Sequence, residues 1–129
     1  MVSTWDEYDI TNEIRQILQT APLDDRYETG RRFLTAYQIA IELAQKLPQF
    51  VTALGHATGG EGQGPFAITT YVARWLPQRI NSGLAPDIEM QFLSSVRLSS
   101  VEFDNYGTPL TATANQAGFD MIMFRLSNE

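Results

Sequence analysis

Residues 34–48, Leu34-Thr35-Ala36-Tyr37-Gln38-Ile39-Ala40-Ile41-Glu42-Leu43-Ala44-Gln45-Lys46-Leu47-Pro48, hold the sharpest helix signal in the chain. Thr35 and Gln38 have the spacing of a capping box, in which the hydroxyl accepts from a free amide and the amide side chain reaches back. Leu34 before the cap and Ile39 after it fit a hydrophobic staple. Over 36–47 the polar positions Gln38, Glu42, Gln45 and Lys46 share one narrow face, and the rest is apolar. Such a pattern predicts the central, most buried helix of the fold. Pro48 ends it.

Upstream, Ile10, Ile14, Ile17 and Leu18 recur at helical spacing and predict a helix over about 5–20. Thr4 and Glu7 read as its capping box, and Asp6 and Glu7 suit the positive end of its dipole. Pro22 stops it, and the polar segment 23–30 reads as a loop. Downstream, Pro48 to Leu54 reads as a short helix with Gly55 as its stop, or, from its β-branched residues, as a strand. A further helix from about 66 carries Ile68, Tyr71, Val72, Trp75, Leu76 and Ile80 on one wide apolar face. Pro77 either ends or kinks it. Asn81-Ser82-Gly83 and Pro86 close the helical part.

From Ile88 the period changes to two. Ile88, Met90 and Phe92 alternate with Glu89, Gln91 and Leu93, and Val96/Leu98 and Val101/Phe103 continue the pattern past a slip at Ser99-Ser100. Residues 104–109 form a turn, 110–114 a weak strand and 116–118 a second turn. Residues 119–126 read as a strand apolar on both faces, hence covered on both sides. The reading is a single α+β domain over 1–129, helical over about 1–85 and β over about 86–129. Three to four helices pack on a C-terminal antiparallel sheet of three to four strands.

Composition narrows the chemistry. At 129 residues with 43 % hydrophobic and 19 % charged residues, the chain has the make-up of a globular domain. It has no cysteine, which removes disulfides, thiolate nucleophiles and cysteine-ligated metal sites. The first residues are acidic where a signal peptide is basic, and no apolar run approaches the ~18 residues of a membrane span. The expectation is a cytoplasmic protein with no membrane contact. The net charge of −6 is uneven: −5 over 1–30, +3 over 31–80 and −4 over 81–129. Eight of the nine bases are arginine, which suits planar contacts better than lysine does.

Several groups are candidate sites. Residues 55–64 contain five glycines and the only histidine, His56. Gly64 is followed by Pro65 and Phe66, which fails the lysine and hydroxyl requirement of a phosphate loop. The dinucleotide pattern is met formally by Gly62-Gln63-Gly64-Pro65-Phe66-Ala67, but the residues before it are loop-like. What remains is a candidate ligand site of His56, Glu61, Gly62 and Gly64 beside Tyr71 and Arg74, with an anion seat at the helix start. No GxSxG or HExxH motif gives His56 a catalytic partner, and the acids Asp24, Asp25 and Glu28 lack EF-hand spacing. No catalytic residue, metal or cofactor is therefore assigned.

Residues 33–40 also resemble the capped helix that precedes the reader in helix-turn-helix proteins. That would make Arg74, Gln78 and Arg79 the base-contacting residues and 96–126 a wing. The connection of some 18 residues between 47 and 66 is far longer than the three or four such a motif uses. The acidic net charge also opposes DNA. Trp5 and Tyr8, at the edge of the first apolar stripe, are candidate interface residues. The leading expectation is a non-enzymatic binding domain that self-associates, as a dimer, or docks on a partner protein. The alternatives are a nucleic-acid binder and a small-molecule binder or enzyme at the glycine loop.

Overall fold

The computed structural model describes residues 3–21, 23–24, 30–57, 65–94, 96–113 and 121–127, with backbone alone at 23–24, 54–57, 65–67 and 113. The fold is α+β. Among the described residues, helices α1 (Thr4–Glu7) and α2 (Ile10–Leu18) are followed by two short strands, β1 (Leu23–Asp24) and β2 (Gly30–Arg31). Strand β3 (Leu34–Thr35) leads into α3 (Ala36–Lys46), α4 (Pro48–Ala57) and α5 (Pro65–Asn81). The β part follows as β4 (Ile88–Leu93), β5 (Ser100–Asn105), β6 (Thr108–Thr113) and β7 (Met121–Leu126).

The capping box of α3 forms as the sequence predicts. The Gln38 amide donates to Thr35 Oγ1 at 3.2 Å, and the Thr35 amide donates to Gln38 Oε1 at 2.7 Å. Thr35→Ala is expected to lower stability by about 1 kcal/mol, the usual worth of such a cap. Chemical denaturation checks it; an unchanged midpoint would mean that the packing of α3 holds its start without the cap. Ala36, Ile39, Ala40, Ile41 and Leu43 are all buried, so α3 is covered on more than one side.

The front of the chain differs from the sequence expectation. One helix over 5–20 is in fact two, broken at Asp9, whose backbone is left-handed (φ 52°, ψ 49°). The cap of α1 is Ser3, not Thr4: Ser3 Oγ accepts from the Asp6 amide at 3.2 Å and lies 3.0 Å from Asp6 Oδ2. Residues 23–24 and 30–31 pair as an antiparallel ladder where a loop was expected.

Gly55 does not stop α4, which runs on to Ala57. Pro77 does not end α5 either. A proline in the helix removes one backbone bond, that to the Ala73 carbonyl. Here burial of Ile68, Val72 and Leu76 along the helix outweighs that loss. The helix ends where Gly83 takes a φ of +86°, with the Leu84 amide donating to the Arg79 carbonyl at 2.9 Å. This is the Schellman pattern, and glycine is the residue it favours.

Strands β3, β7 and β4 form one antiparallel sheet in that order. Strand β7 is thus central. Ile122 and Phe124 face the main core, shared with Ile14, Leu18, Ile39, Leu43, Val72 and Ile88. Met121 is buried on the other side. Met123 and Arg125 on that other side are half-buried, so β7, expected to be covered on both faces, is covered on its core face and in part on the other.

The remaining strands pair apart from that sheet. Val96 and Leu98 do not continue the strand pattern; Val96 and Arg97 turn, with Arg97 at φ 68°. Strands β5 and β6 then make a separate hairpin through a two-residue turn, Tyr106 (φ 51°) and Gly107 (φ 92°). Two positive φ values are the signature of the turn whose twist matches a hairpin. The Gly107 amide donates to Asp104 Oδ1 at 2.7 Å. The hairpin lies on α3: Phe103 stacks on Tyr37 at 5.2 Å, and the Tyr106 hydroxyl donates to Glu42 Oε1 at 2.7 Å.

An ion pair ties the two halves. Arg15 on α2 grips Asp87, just before β4, through Nε to Oδ2 at 2.8 Å and Nη2 to Oδ1 at 3.0 Å. The Arg15 hydrogen bond holds the Asp87 carboxyl below its ordinary range, with burial opposing it. The sign follows from linkage. A depressed folded-state pKa stabilises above the unfolded value near 4 and loses that contribution as pH falls through the folded value. Asp87→Asn should therefore flatten the loss of stability between about pH 5 and pH 2. Both side chains are part-exposed, so the effect is at most about 1 kcal/mol. Denaturation midpoints across that range check it; parallel curves for the two proteins would contradict it.

Candidate functional site

Of the candidate ligand and interface residues, Trp5, Tyr8 and Tyr71 meet in an aromatic cluster with Phe50 of α4 and Trp75 of α5. Trp5 is 1 % exposed. Its Nε1 donates to Thr11 Oγ1 at 2.7 Å, and its ring centre lies 5.7 Å from that of Tyr71. Tyr71 in turn meets Phe50 at 5.8 Å and Trp75 at 6.2 Å, and Tyr8 meets Phe50 at 5.5 Å. Offset and tilted rings at these separations are favourable core contacts. Trp5, expected at an interface, is therefore turned into its own chain. Tyr8 is half-buried in the same cluster.

Arg79 belongs to this cluster. Its guanidinium sits 4.7 Å from the Trp5 ring centre and 3.8 Å from Asp6 Oδ1, with its side chain 16 % exposed. Burial raises the Tyr71 phenol above its usual pKa, partly offset by Arg79 and by a hydrogen bond with the Trp5 backbone.

On the outer face of α5, Arg74 and Gln78 are exposed, and the Arg74 guanidinium lies 5.6 Å from the Trp75 ring centre. Of the three nucleic-acid candidates, then, Arg79 is held inside and two remain at the surface. His56 lies on α4, but its side chain falls outside the described residues, as do Glu61, Gly62 and Gly64 entirely. Among the described residues, no group of three or more metal-ligating side chains is placed to hold an ion, and no helix is long and apolar enough to cross a membrane.

A different region stands out at the surface. Phe92 is 59 % exposed, Leu93 41 % and Val96 75 %. Phe92 and Leu93 end β4, which pairs only with β7 among the described residues, and Val96 lies in the turn beyond. Its ladder fixes which backbone groups are free. The Ser127 amide donates to the Asp87 carbonyl at 2.8 Å, in register with Ile88↔Leu126 and Glu89↔Arg125. Antiparallel ladders alternate bonded and non-bonded pairs. Glu89, Gln91 and Leu93 therefore bond toward β7, and Ile88, Met90 and Phe92 aim their peptide groups at the open edge. The Ile88 amide is already given to the Ala85 carbonyl at 3.2 Å. Met90 and Phe92 are left with outward amides and carbonyls that no backbone group among the described residues takes up.

The edge carries little charge. Glu89 is its one ionised side chain, and Arg125 Nε holds its Oε1 at 3.0 Å. The Arg125 guanidinium also lies 4.5 Å from the Phe33 ring centre, fixing it beneath the sheet. There is no lysine or proline on β4, the residues with which sheet proteins usually blunt an edge. Sequence reasoning missed this feature. The signal was Phe92-Leu93, an apolar, uncharged end to a strand, but only the strand order shows that β4 is outermost among the described residues. Comparison with protein-family models, curated proteins and solved structures finds no match to this chain.

Proposed function

We propose that this chain is a binding domain, not a catalyst, and that it binds protein through the open edge of β4. The observation that carries the reading is the pair of outward peptide groups at Met90 and Phe92 beside the exposed apolar side chains of Phe92, Leu93 and Val96. An extended partner segment on such an edge gains backbone hydrogen bonds for affinity and side-chain contacts for selectivity. Apolar tips of this kind mark interaction surfaces. Arg79's engagement with Trp5 and Asp6 leaves α5 with a single exposed arginine, poor footing for nucleic acid.

Site-specific photo-crosslinking in cells producing the protein tests the reading. A photoreactive phenylalanine in place of Leu93 should capture a discrete protein product. The same group in place of Leu84, which is 69 % exposed but off the edge, should not. Equal capture at both positions, or none at 93, would contradict it.

A further inference from the structure

We infer that the partner is a second copy of this chain, joined β4 to β4 in an antiparallel, two-fold pairing centred on Gln91. The inference rests on the edge-binding reading above and names its occupant. A two-fold contact must be self-complementary, and the geometry of this edge meets that condition in one register.

Outward groups must face outward groups, so even-numbered residues of one copy meet even-numbered residues of the other. Centring on Met90 would set Ile88 against Phe92 of the second copy, but the Ile88 amide is already bonded to Ala85 and its side chain is buried. Centring on Phe92 overlaps only three β4 residues on each copy. Centring on Glu89 sets two carboxylates face to face, which is destabilising. Centring on Gln91 pairs Met90 with Phe92 of the second copy, and Phe92 with its Met90. All four free amides and carbonyls of the two edges are then used, and no engaged group is needed.

The side chains agree with that register. Glu89 faces Leu93 of the second copy and stays paired to its own Arg125 at 3.0 Å. No like charges oppose each other, despite a net charge of −6 on each chain. Gln91 meets Gln91 across the axis, and a carboxamide can both donate to and accept from its like. The exposed Phe92 gains Met90 as its neighbour on the core side of the sheet. A single-strand contact of this kind belongs to the small, weak class of interfaces, so a reversible dimer is expected.

Gln91→Cys tests the register. The chain has no cysteine, so the new thiol is unique. Residue 91 is exposed, and the substitution leaves the outward backbone untouched. In a non-bonded antiparallel pair the Cα atoms lie about 4.5 Å apart, within disulfide range. Under a glutathione redox buffer, the Gln91→Cys protein should form a disulfide dimer at least about tenfold faster than Leu84→Cys, in keeping with millimolar effective concentrations in a preformed pair. Light scattering on the unmodified protein should show mass rising from 14.5 kDa toward twice that value with concentration. Phe92→Lys should abolish the rise.

Crosslinking no faster than Leu84→Cys, or a monomer at every concentration, overturns the dimer. A dimer that persists in Phe92→Lys overturns the edge as its seat. Capture of a different protein from position 93, with the purified chain monomeric, overturns self-pairing and leaves the edge-binding reading standing.

Discussion

Trp5→Ala should cost about 3–5 kcal/mol of folding stability, the range for removing a fully buried large aromatic. Helix α1 has four residues and cannot stand alone, because the first turns of a helix cost more than they return. Its place is fixed by the indole, which closes the aromatic cluster against Tyr71 at 5.7 Å and stacks under Arg79 at 4.7 Å. Removing the ring opens a cavity and frees Arg79 from its face. Trp5→Phe separates the terms. It keeps an aromatic ring but deletes the Nε1 donor to Thr11, so a loss nearer 1 kcal/mol is expected, the net worth of one hydrogen bond. Denaturant titration measures both. A loss under 1 kcal/mol for Trp5→Ala would mean that the N-terminal turn is not docked.

Leu43→Ala should cost about 2–5 kcal/mol. Leu43 is fully buried in the main core on α3, which packs between α2 and α5. Glu42→Ala, one residue away, should cost under about 1 kcal/mol, as surface changes usually do. Glu42 is half-buried, and its one described partner is the exposed Tyr106 hydroxyl at the hairpin tip. The contrast isolates the facing of α3, because the two substitutions share the same helix and nearly the same propensity change. Equal costs would mean that the helix is rotated from its described position.

What was legible in the sequence follows the strength of local signals. The Thr35 cap, the apolar wrap of α3, the helix from about 66 and the period-two run from Ile88 are each written in adjacent residues, and each forms where expected. The failures are places where distant contacts override a local rule. The apolar stripe Ile10, Ile14, Ile17 and Leu18 is real, but nothing in it reveals that Asp9 turns left-handed so that Trp5 can reach Thr11 and Tyr71. Pro77 breaks a backbone bond, yet three turns of buried apolar residues carry α5 through it.

The same limit applies to function. Of the aromatic residues singled out in the sequence, Trp5 is core, and Tyr8 and Tyr71 pack half-buried against it; helical spacing on a wide apolar face fits packing as well as binding. Strand order depends on pairings between residues more than thirty positions apart, such as Met90↔Phe124. The open edge of β4 could not be read from β4 alone.

Amide hydrogen exchange along β4 tests the central claim most directly. In the dilute protein the amides of Gln91 and Leu93, bonded to β7, should be protected, and those of Met90 and Phe92 should exchange as open-edge groups do. As concentration rises, Met90 and Phe92 should gain protection while Gln91 changes little. Met90 and Phe92 protected alike at every dilution would mean that the edge is already closed within the chain. Exchange at both that stays fast at the highest concentration would mean that no second copy fills it.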